Sequence, residues 1–551
     1  MRTRFSGLLA AVSVALPLAW ATPVAATVSD YGGYYESFPA DFATLRGLGL
    51  KIERLYNSFS STNGIFGEGW GSDFEVRLEV RDDGSVDVHE YGSAAENIFK
   101  PTDPKQLRPL DAVVDEIVAA AEKVGQFGSD AELQSYRRWL VANHVDEWRR
   151  FRDLGLVAAK HLGVGATFYS DRFSSELITR VPEGYQLQAG ATFQVFDLSG
   201  RLLREWDTNH NFISLRYDSH GHLTEIEDNF GDRYVFTFND SGYVASITDA
   251  SNLTVRYEYS GQQLTRVFNV DGKPTTYEYD ANLNMTAIKY PNKTFEEISY
   301  TYSAVAEDYQ VSRVKATDGT VTVYTFTNDG ADHYSIAQTA TSADGKKVTT
   351  EKKEYYFTYD ASHNRHMARQ IITLDGKTTD TAYNLEDEAV TVTRDGVVEQ
   401  LTYDDLGHVI KTQTPAETDE YQYDNVIGKV VAYTQTTGSK VARSRFQYDP
   451  KGNLIHAADD AGDDFTLAWD DVGRLSVATD QTGQSIRFTY SGVSRPDSIV
   501  MSGVGTLRVT WTANGDVDTL KADEGDAAKT KIVAFFVKVR DFVTPTRIGF
   551  W

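Results

Sequence analysis

Apolar and polar residues alternate in short runs over most of the chain from Thr192 onwards. The apolar positions of the run 253–259 are Leu253, Val255, Tyr257 and Tyr259. Successive side chains of a strand point to opposite faces, so this pattern predicts a strand with one packed face and one solvated face. The runs 486–490 and 507–511 alternate in the same way. We therefore predict a mainly β protein.

The aromatic residue that ends each run recurs at a nearly constant spacing. The first series is Phe196, Tyr217, Phe238, Tyr259 and Tyr279, and the second is Tyr383, Tyr403, Tyr423, Tyr448, Trp469, Tyr490 and Trp511. By subtraction, successive members are 20 or 21 residues apart except for one step of 25. Between the series, Tyr302, Phe326 and Tyr359 keep a looser rhythm, which we interpret as inserted loops. A fixed period of this kind indicates a repeat array.

The residues that follow the aromatic predict a tight turn. The structural motif residues are Tyr217, Asp218 and Gly221; Tyr403, Asp404 and Gly407; Tyr448, Asp449 and Gly452; and Trp469, Asp470 and Gly473. In such a turn the Asp side chain accepts hydrogen bonds from the backbone ahead of it, and Gly tolerates a positive φ. Aliphatic residues three apart in the return limb, such as Val244 and Ile247, break the alternation and predict a β-bulge. Each repeat is thus a predicted β-hairpin, and hairpins paired side by side form a long antiparallel sheet that must coil.

The hydrophobic period changes to that of a helix between residues 108 and 165. We predict one helix from Leu110 to Val124 and a second that begins with Asp130 as its N-cap. The second helix places Leu133, Tyr136, Leu140, Trp148 and Phe151 near one stripe. We interpret this insert as a packed cap on the array or as an interaction surface.

Composition narrows the classes of function. The formal net charge of -25 opposes binding to nucleic acid and to anionic lipid. The chain has no cysteine, which excludes disulfides and thiolate metal sites and, in an exported chain, favours a bacterial source.

The N-terminus has the layout of a cleaved export signal. Arg2 and Arg4 precede an apolar run from Leu8 to Trp20, and small residues lead to a predicted cleavage site after Ala26. The apolar run is too short to span a bilayer as a mature helix, so we predict no transmembrane span. We expect an exported protein that is periplasmic, on the cell surface or secreted.

These patterns divide the chain into five segments. They are a signal peptide (1–26), an N-terminal β segment (27–107), the helical insert (108–165), the repeat array (166–528) and a C-terminal tail (529–551). The apolar tail is too short to cross a membrane as a helix, and we interpret it as a last strand or a plug.

The repeated phrases RYDSHGHLTEI, QYDPKGNLI, TYDDLGHVI and AWDDVGRL resemble the YD repeats of the RHS family, which is related to the C components of insecticidal toxin complexes and to teneurins. YNSFSSTNGIFGEGW, residues 56–70, is similar to the segment that precedes these repeats in bacterial RHS proteins. The resemblance implies a spiralling β-sheet that forms a partial or complete hollow shell. In complete members the shell encapsulates a C-terminal toxin, which an aspartyl self-cleaving segment near a DPxG signature releases. Asp449-Pro450-Lys451-Gly452 has these letters but lies inside an ordinary repeat, so we interpret it as a turn.

Candidate chemistry is sparse. No GxSxG or HExxH motif is present. The histidines His220, His222, His363 and His366 flank turns, and we interpret them as solvated rather than as metal ligands. The acidic residues Asp459, Asp460, Asp463 and Asp464 have oxygen ligands that suit calcium, but turn chemistry explains them as well. We predict no catalytic residue, no cofactor, no metal and no enzymatic activity.

Two hypotheses of function follow. In the first, the protein is an exported, non-enzymatic shell scaffold of a secreted or polymorphic toxin system, and its partner is another polypeptide such as a toxin, an effector or a second shell component. In the second, it is a cell-surface or extracellular adhesion protein that binds glycans, because Tyr and Trp stack on the apolar faces of sugars.

Overall fold

The computed structural model describes residues 27–44, 47–90, 95–170, 176–304, 306–330, 332–360, 365–424, 428–490, 495–511 and 517–543. The predicted signal peptide, His363 and the last residues of the tail lie outside these ranges. Within them the chain forms three α-helices, one short 3₁₀ helix (Pro104–Gln106) and 44 strands. The fold is mainly β, as the alternating pattern predicts.

The first strands belong to the N-terminal segment. They are β1 (Thr27–Val28), β2 (Tyr34–Ser37), β3 (Phe42–Ala43), β4 (Lys51–Ile52), β5 (Arg54–Asn57), β6 (Asn63–Gly64), β7 (Gly67–Glu68) and β8 (Trp70–Ser72). Strands β1, β2, β5 and β8 form a four-stranded sheet, and β3 with β4 and β6 with β7 form two-stranded pairs.

The next strands flank the helical insert and lead into the array. They are β9 (Arg77–Val80), β10 (Val86–Glu90), β11 (Ala95–Pro101), β12 (Thr167–Ser170), β13 (Glu176–Val181), β14 (Gly184–Ala189), β15 (Thr192–Asp197), β16 (Leu202–Asp207) and β17 (Phe212–Tyr217). The helices are α1 (Leu110–Lys123), α2 (Asp130–Asp153) and α3 (Asp526–Val543).

The array continues with consecutive hairpins. Its strands are β18 (Leu223–Asp228), β19 (Arg233–Phe238), β20 (Val244–Asp249), β21 (Thr254–Ser260), β22 (Gln263–Phe268), β23 (Pro274–Tyr279), β24 (Met285–Lys289), β25 (Phe295–Ser303), β26 (Asp308–Lys315), β27 (Val321–Asn328), β28 (His333–Thr341), β29 (Val348–Tyr359), β30 (Arg365–Leu374), β31 (Lys377–Tyr383), β32 (Ala389–Arg394), β33 (Val397–Tyr403), β34 (Val409–Gln413), β35 (Glu417–Tyr423), β36 (Val430–Thr437), β37 (Lys440–Tyr448), β38 (Leu454–Asp459), β39 (Asp464–Trp469), β40 (Leu475–Asp480), β41 (Ser485–Thr489), β42 (Ser498–Met501), β43 (Gly505–Trp511) and β44 (Val517–Ala522).

Strands β9 to β44 belong to one antiparallel sheet of 36 strands. The chain divides into two compact units, and each has its own core. The larger unit contains residues 27–70, 206–213 and 217–543, and the smaller unit contains residues 71–205 and 214–216. In the smaller unit, α1 and α2 pack on each other through Val113, Ile117, Leu140, Trp148 and Phe151.

The β-bulge recurs where the return limb breaks the alternation. Between β19 and β20, Thr237 pairs with Ser246 but Phe238 pairs with Val244, so one residue of the return strand is left over. The same register shift occurs at the motif aromatics Tyr403, Tyr448 and Trp469. The prediction of a bulge in the repeats is confirmed at these positions.

Three local predictions need correction. The N-cap of α2 is Ser129, whose hydroxyl accepts a hydrogen bond from the backbone N–H of Glu132, and Asp130 is the first helical residue. The looser rhythm between the two aromatic series reflects longer strands rather than inserted loops, since β29 has 12 residues and β30 has 10. The tail is a helix and not a last strand, because Ile532, Phe535, Phe536 and Val539 follow a helical period and are buried together.

Candidate functional site: the packed face of the repeat sheet

Each repeat turn is organised by one carboxylate. Oδ1 of Asp218 accepts hydrogen bonds from the backbone N–H groups of His220 and His222, at 2.8 and 2.9 Å. Oδ1 of Asp404, Asp449 and Asp470 accepts in the same way from the second and fourth residues ahead. The third residue ahead is Gly221, Gly407, Gly452 or Gly473, with φ of 88°, 76°, 80° and 80°. A β-carbon is strongly disfavoured at such φ values, so these turns require glycine.

The motif aromatic ties each repeat to the one before it. The Tyr403 hydroxyl donates to the carbonyl oxygen of Ala389 at 2.8 Å, the Tyr448 hydroxyl donates to that of Val430 at 3.0 Å, and Trp469 Nε1 donates to that of Leu454 at 2.7 Å. Tyr259, Tyr279, Tyr300, Tyr423 and Tyr490 donate to equivalent carbonyls. In each case the acceptor is the first or second residue of the preceding return strand, beside the bulge. The recurring aromatic therefore links neighbouring hairpins by a polar contact as well as by packing.

This contact also identifies the motif aromatic between the two regular series. Tyr300, and not Tyr302, donates to a preceding return strand, and Tyr302 is 54% exposed. The equivalent register shift in β29 lies at Phe357 rather than at Tyr359. Sequence spacing missed both positions because longer strands displace the aromatic by two residues.

A residue that the sequence reasoning overlooked completes the turn. His408, directly after the turn glycine, places Nδ1 3.0 Å from Asp404 Oδ2 and stacks on the Tyr423 ring of the next repeat at 4.5 Å. Arg474 pairs in the same way with Asp470 and lies over the Tyr490 ring at 4.6 Å. The signal for this role was a basic residue directly after the motif glycine. His222, interpreted as solvated, also pairs with its turn aspartate and stacks on Phe238, whereas His220 remains exposed.

One face of the array in the larger unit is buried along its length. Antiparallel register places Tyr257, Glu296, Ile336, Ile372, Asp419, Phe465 and Phe488 on this face, which is referred to as the packed face. The opposite face carries polar residues such as Arg256 and Glu258, which are exposed.

The N-terminal segment binds the packed face through a buried ion pair. Arg54 is only 4% exposed, and its Nε and Nη2 donate to the two carboxylate oxygens of Asp41 at 2.6 and 3.0 Å. Arg54 Nη1 also donates to the Tyr277 hydroxyl at 3.1 Å, and the Tyr257 hydroxyl donates to Asp41 Oδ2 at 2.8 Å. Burial raises the pKa of both tyrosines above the ordinary value, so they remain neutral donors. The segment and the array thus share one satisfied polar network inside an apolar seat.

Aromatic residues surround this network. The Arg54 guanidinium lies 5.4 Å from the Trp70 ring centroid and 5.5 Å from that of Phe38. Trp70 Nε1 donates to the Tyr279 hydroxyl at 3.0 Å. Desolvated cation–π contacts of this kind favour arginine over lysine.

The segment extends over many strands of the packed face. The Tyr31 ring stacks on Tyr334 of β28, and the Gly32 carbonyl accepts a hydrogen bond from Val311 N–H of β26. Farther along, the Ile65 carbonyl accepts from Val244 N–H at 2.9 Å in β20. The packed face therefore holds an extended polypeptide by backbone and side-chain contacts.

The C-terminal helix occupies another part of the same face. The Phe536 ring lies 6.1 Å from Phe488, and the Phe535 ring lies 6.2 Å from Phe465, both in edge-to-face geometry. Ile532 and Val539 are buried in the same cluster, beside Ile486 and Leu507. The array holds a helix at this end, as it holds extended chain at the other.

The repeat array matches a known family. Residues 189–331 and 332–502, more than half of the chain, match the family described as Teneurin YD-shell. The chain belongs to the Teneurin YD-shell family. This match confirms the relationship that the repeated phrases indicate. Residues 31–96, which include most of the segment seated on the packed face, match a domain of unknown function (DUF6531).

Curated relatives match part of this YD-shell protein. The tRNA nuclease WapA of Bacillus subtilis (strain 168) and the tRNA3(Ser)-specific nuclease WapA of Bacillus spizizenii are each 24% identical over 275 residues. The match covers 48% of this chain and 11% of each relative.

Solved structures similar to the YD-shell chain include a TcdB2-TccC3-TEV crystal structure and the Photorhabdus luminescens Tc holotoxin pore. The first is 13% identical with a TM-score of 0.43, covering 88% of this chain and 27% of that chain. The second is 14% identical with a TM-score of 0.38, covering 65% of this chain and 24% of that chain.

The DPKG sequence of this YD-shell protein forms an ordinary repeat turn. Asp449 Oδ1 accepts from Lys451 N–H and Asn453 N–H, as in the other turns. The Lys451 carbonyl also accepts from the Thr208 hydroxyl at 2.6 Å. Asp449 is thus engaged in holding its turn, and the interpretation of this motif as a turn fits its contacts.

The acidic residues considered for calcium have protein partners in the YD-shell structure. Asp463 Oδ1 lies 2.5 Å from Lys538 Nζ, Asp464 Oδ1 lies 3.0 Å from His456 Nε2, and Asp460 Oδ2 lies 3.4 Å from Arg443 Nη1. Asp459 Oδ1 accepts from two turn N–H groups. His366 lies 3.5 Å from both Asp360 and Asp387. In the described part of the chain, no helix has both the length and the apolar character needed to cross a bilayer.

Two carboxylates share the packed face near the N-terminal segment. The Tyr34 hydroxyl donates to Glu296 Oε1 at 2.5 Å. Burial, together with the nearby charge of Glu296, raises the pKa of Glu36 to about 8, and burial also raises the pKa of Glu296. These carboxyl groups therefore favour their protonated forms while the segment is bound.

The pH dependence of this seat has a definite sign. Because the Glu36 pKa is higher in the folded state than in the unfolded state, stability is greatest below about pH 4.5 and is lost as pH rises toward 8. We expect Glu36→Gln to abolish this loss and to stabilise the protein at pH 8 by about 2 kcal/mol. Chemical denaturation at pH 5 and pH 8 measures the effect. The control Glu258→Gln, on the opposite face, should leave the pH dependence unchanged; a pH profile unaltered by Glu36→Gln would refute the prediction.

Proposed function

We propose that this YD-shell protein is an exported, non-enzymatic scaffold whose packed face holds a partner polypeptide. The observation that carries the proposal is that the packed face already binds two elements of its own chain. One is the extended segment anchored by Arg54, and the other is helix α3. A surface that satisfies backbone groups as well as side chains suits polypeptide binding.

The middle of the packed face indicates the chemistry of the partner. Between β30 and β37 it carries polar residues that are half-buried or buried, namely Gln370, Thr379, Thr381, Arg394, Glu399, Thr412, Asp419, Gln435 and Ser444. By contrast, the parts that bind the N-terminal segment and α3 are apolar and aromatic. A polar wall favours a hydrated or unfolded chain over a folded domain with an apolar docking patch.

The proposed partner is a toxin or effector polypeptide. The curated relatives that match are themselves named tRNA nucleases, and they match this chain over only 11% of their length. We propose that this chain supplies the scaffold alone and that catalysis belongs to the partner. The N-terminal pattern of residues 1–26 supports export to the periplasm, the cell surface or the medium.

Site-specific photo-crosslinking tests the proposal on two adjacent residues. Ile372 lies on the packed face, in register with Lys353 and Ile336, whereas Ile371 points to the opposite face. A benzophenone amino acid at position 372 of the full chain, expressed in the source cells with its genomic neighbours, should crosslink to one defined polypeptide. The same group at position 371 should not.

Two results would contradict the proposal. One is crosslinking that is equal at positions 371 and 372, because a partner on the packed face must discriminate between them. The other is saturable binding of the isolated protein on a glycan array without any polypeptide crosslink at position 372, which would favour the adhesion hypothesis.

A further inference from the structure

A group of charged residues in the smaller unit lies between the sheet and helix α2. Asp87 and His89 are two residues apart on β10 and therefore share a face. Register places Glu79 of β9 opposite Asp87 and Glu96 of β11 opposite His89. This face lies against Arg149 and Arg152 of α2, so Asp87 is fully buried and the His89 side chain is only 12% exposed.

The contacts within this group do not satisfy its buried atoms. His89 Nδ1 lies 3.2 Å from Glu96 Oε1, and His89 Nε2 lies 3.3 Å from Glu79 Oε2. Nevertheless neither ring nitrogen, nor Asp87 Oδ1, has a partner in hydrogen-bond geometry. Buried polar atoms without partners are uncommon in folded proteins, and they often mark a position where an ion or a water molecule binds.

The same distances fit ligands of one cation. With metal–ligand bonds of about 2.0–2.1 Å, neighbouring ligand atoms lie about 3 Å apart and direct their lone pairs at the ion instead of at each other. Asp87, His89 and Glu96 offer one ligand atom each, and these three atoms lie within 4.8 Å of one another. The short separations combined with poor hydrogen-bond geometry are what such a set would show.

Arginines hold the outer atoms of the carboxylates. Arg81 Nη1 and Arg149 Nη2 lie 3.4 and 3.7 Å from Asp87 Oδ2, which leaves Oδ1 unpaired. Arg149 also pairs with Glu79 at 3.1 Å. Outer partners of this kind orient metal-binding carboxylates and histidines. Despite these arginines, burial raises the pKa of Asp87, so the group is under-compensated for positive charge.

We propose that Asp87, His89 and Glu96 bind a divalent transition-metal ion of the zinc class. The mixed nitrogen and oxygen ligands favour such an ion over calcium or magnesium, which prefer oxygen alone. Glu96 is 51% exposed and provides the path of entry. The ion would join β10 to β11 beneath α2. This proposal replaces the sequence-based prediction that the protein binds no metal, and it is independent of the proposed function.

Titration of the full-length, metal-stripped protein with Zn²⁺ and Co²⁺ tests this site. We expect one equivalent of Zn²⁺ by calorimetry, and a Co²⁺ absorption spectrum that shows nitrogen and oxygen ligation. His89→Gln should abolish saturable binding. Glu96→Gln, at a half-exposed position that tolerates substitution, should weaken binding at least 10-fold. The control His220→Gln, at a turn side chain that is 79% exposed, should bind as the original chain does.

Three results would overturn the proposal. They are the absence of saturable Zn²⁺ binding, binding that both His89→Gln and Glu96→Gln leave unchanged, and binding that His220→Gln removes. Circular dichroism of each variant confirms folding, and Glu96→Gln retains the test if His89→Gln fails to fold.

Discussion

Replacing Arg54 with alanine is expected to lower the free energy of unfolding by about 3–5 kcal/mol. The substitution leaves the Asp41 carboxylate buried beside Tyr257 without its cationic partner, and a buried, uncompensated charge is costly. It also removes the cation–π contacts with Trp70 and Phe38. Hydrogen exchange of residues 34–57 and equilibrium denaturation measure the loss.

The control for this prediction lies one residue from Tyr257. Arg256→Ala removes an exposed guanidinium from the opposite face of β21 and should change stability by about 0.5 kcal/mol or less. The double variant Arg54→Met with Asp41→Asn should recover much of the loss, because it removes both charges together. Equal effects of Arg54→Ala and Arg256→Ala would show that the ion pair does not anchor the segment.

Truncation of Phe536 to alanine is expected to destabilise helix α3 by about 3–5 kcal/mol. The ring is 5% exposed and packs edge-to-face on Phe488, so its removal leaves a cavity in the cluster that α3 shares with the array. An isolated helix of 18 residues is marginal in water, so loss of this packing should release α3. Limited proteolysis and hydrogen exchange of residues 526–543 report the release.

A surface residue of the same helix provides the comparison. Lys531 is exposed, so Lys531→Ala should leave the protection of α3 within experimental error. If Phe536→Ala leaves α3 as protected as Lys531→Ala does, then α3 is held by contacts other than this ring.

Elements whose cause lies within a few residues could be predicted from sequence. The strand alternation around Tyr257, the Asp-and-Gly turns at Asp218 and Gly221, and the bulge beside Val244 all depend on local backbone geometry. The position of α1 was predicted to within one residue of its end for the same reason. Errors arose where two local patterns compete, as at Ser129 and Asp130, both of which are good N-caps.

The candidate site could be predicted only in part. The recurrence of Tyr403 and its equivalents was evident, but the carbonyl that each ring binds was not, because the acceptor belongs to the previous repeat. The basic residue after the turn glycine, such as His408, was overlooked because its role depends on an aromatic ring 15 residues farther on. The ligand set Asp87, His89 and Glu96 depends on the pairing of neighbouring strands.

The sequence by itself determined the hairpin, its turn, its bulge and the repetition that stacks one hairpin on the next, because each follows from interactions between residues close together in the chain. Only the tertiary structure decided what covers the packed face. Arg54 pairs with Asp41 nearby, but both are buried by tyrosines more than 200 residues away, and α3 is held by rings of strands that precede it. The physical reason is that the free energy of a buried charge or an apolar helix depends on the partners that desolvate it, and these partners are chosen by the path of the folded chain.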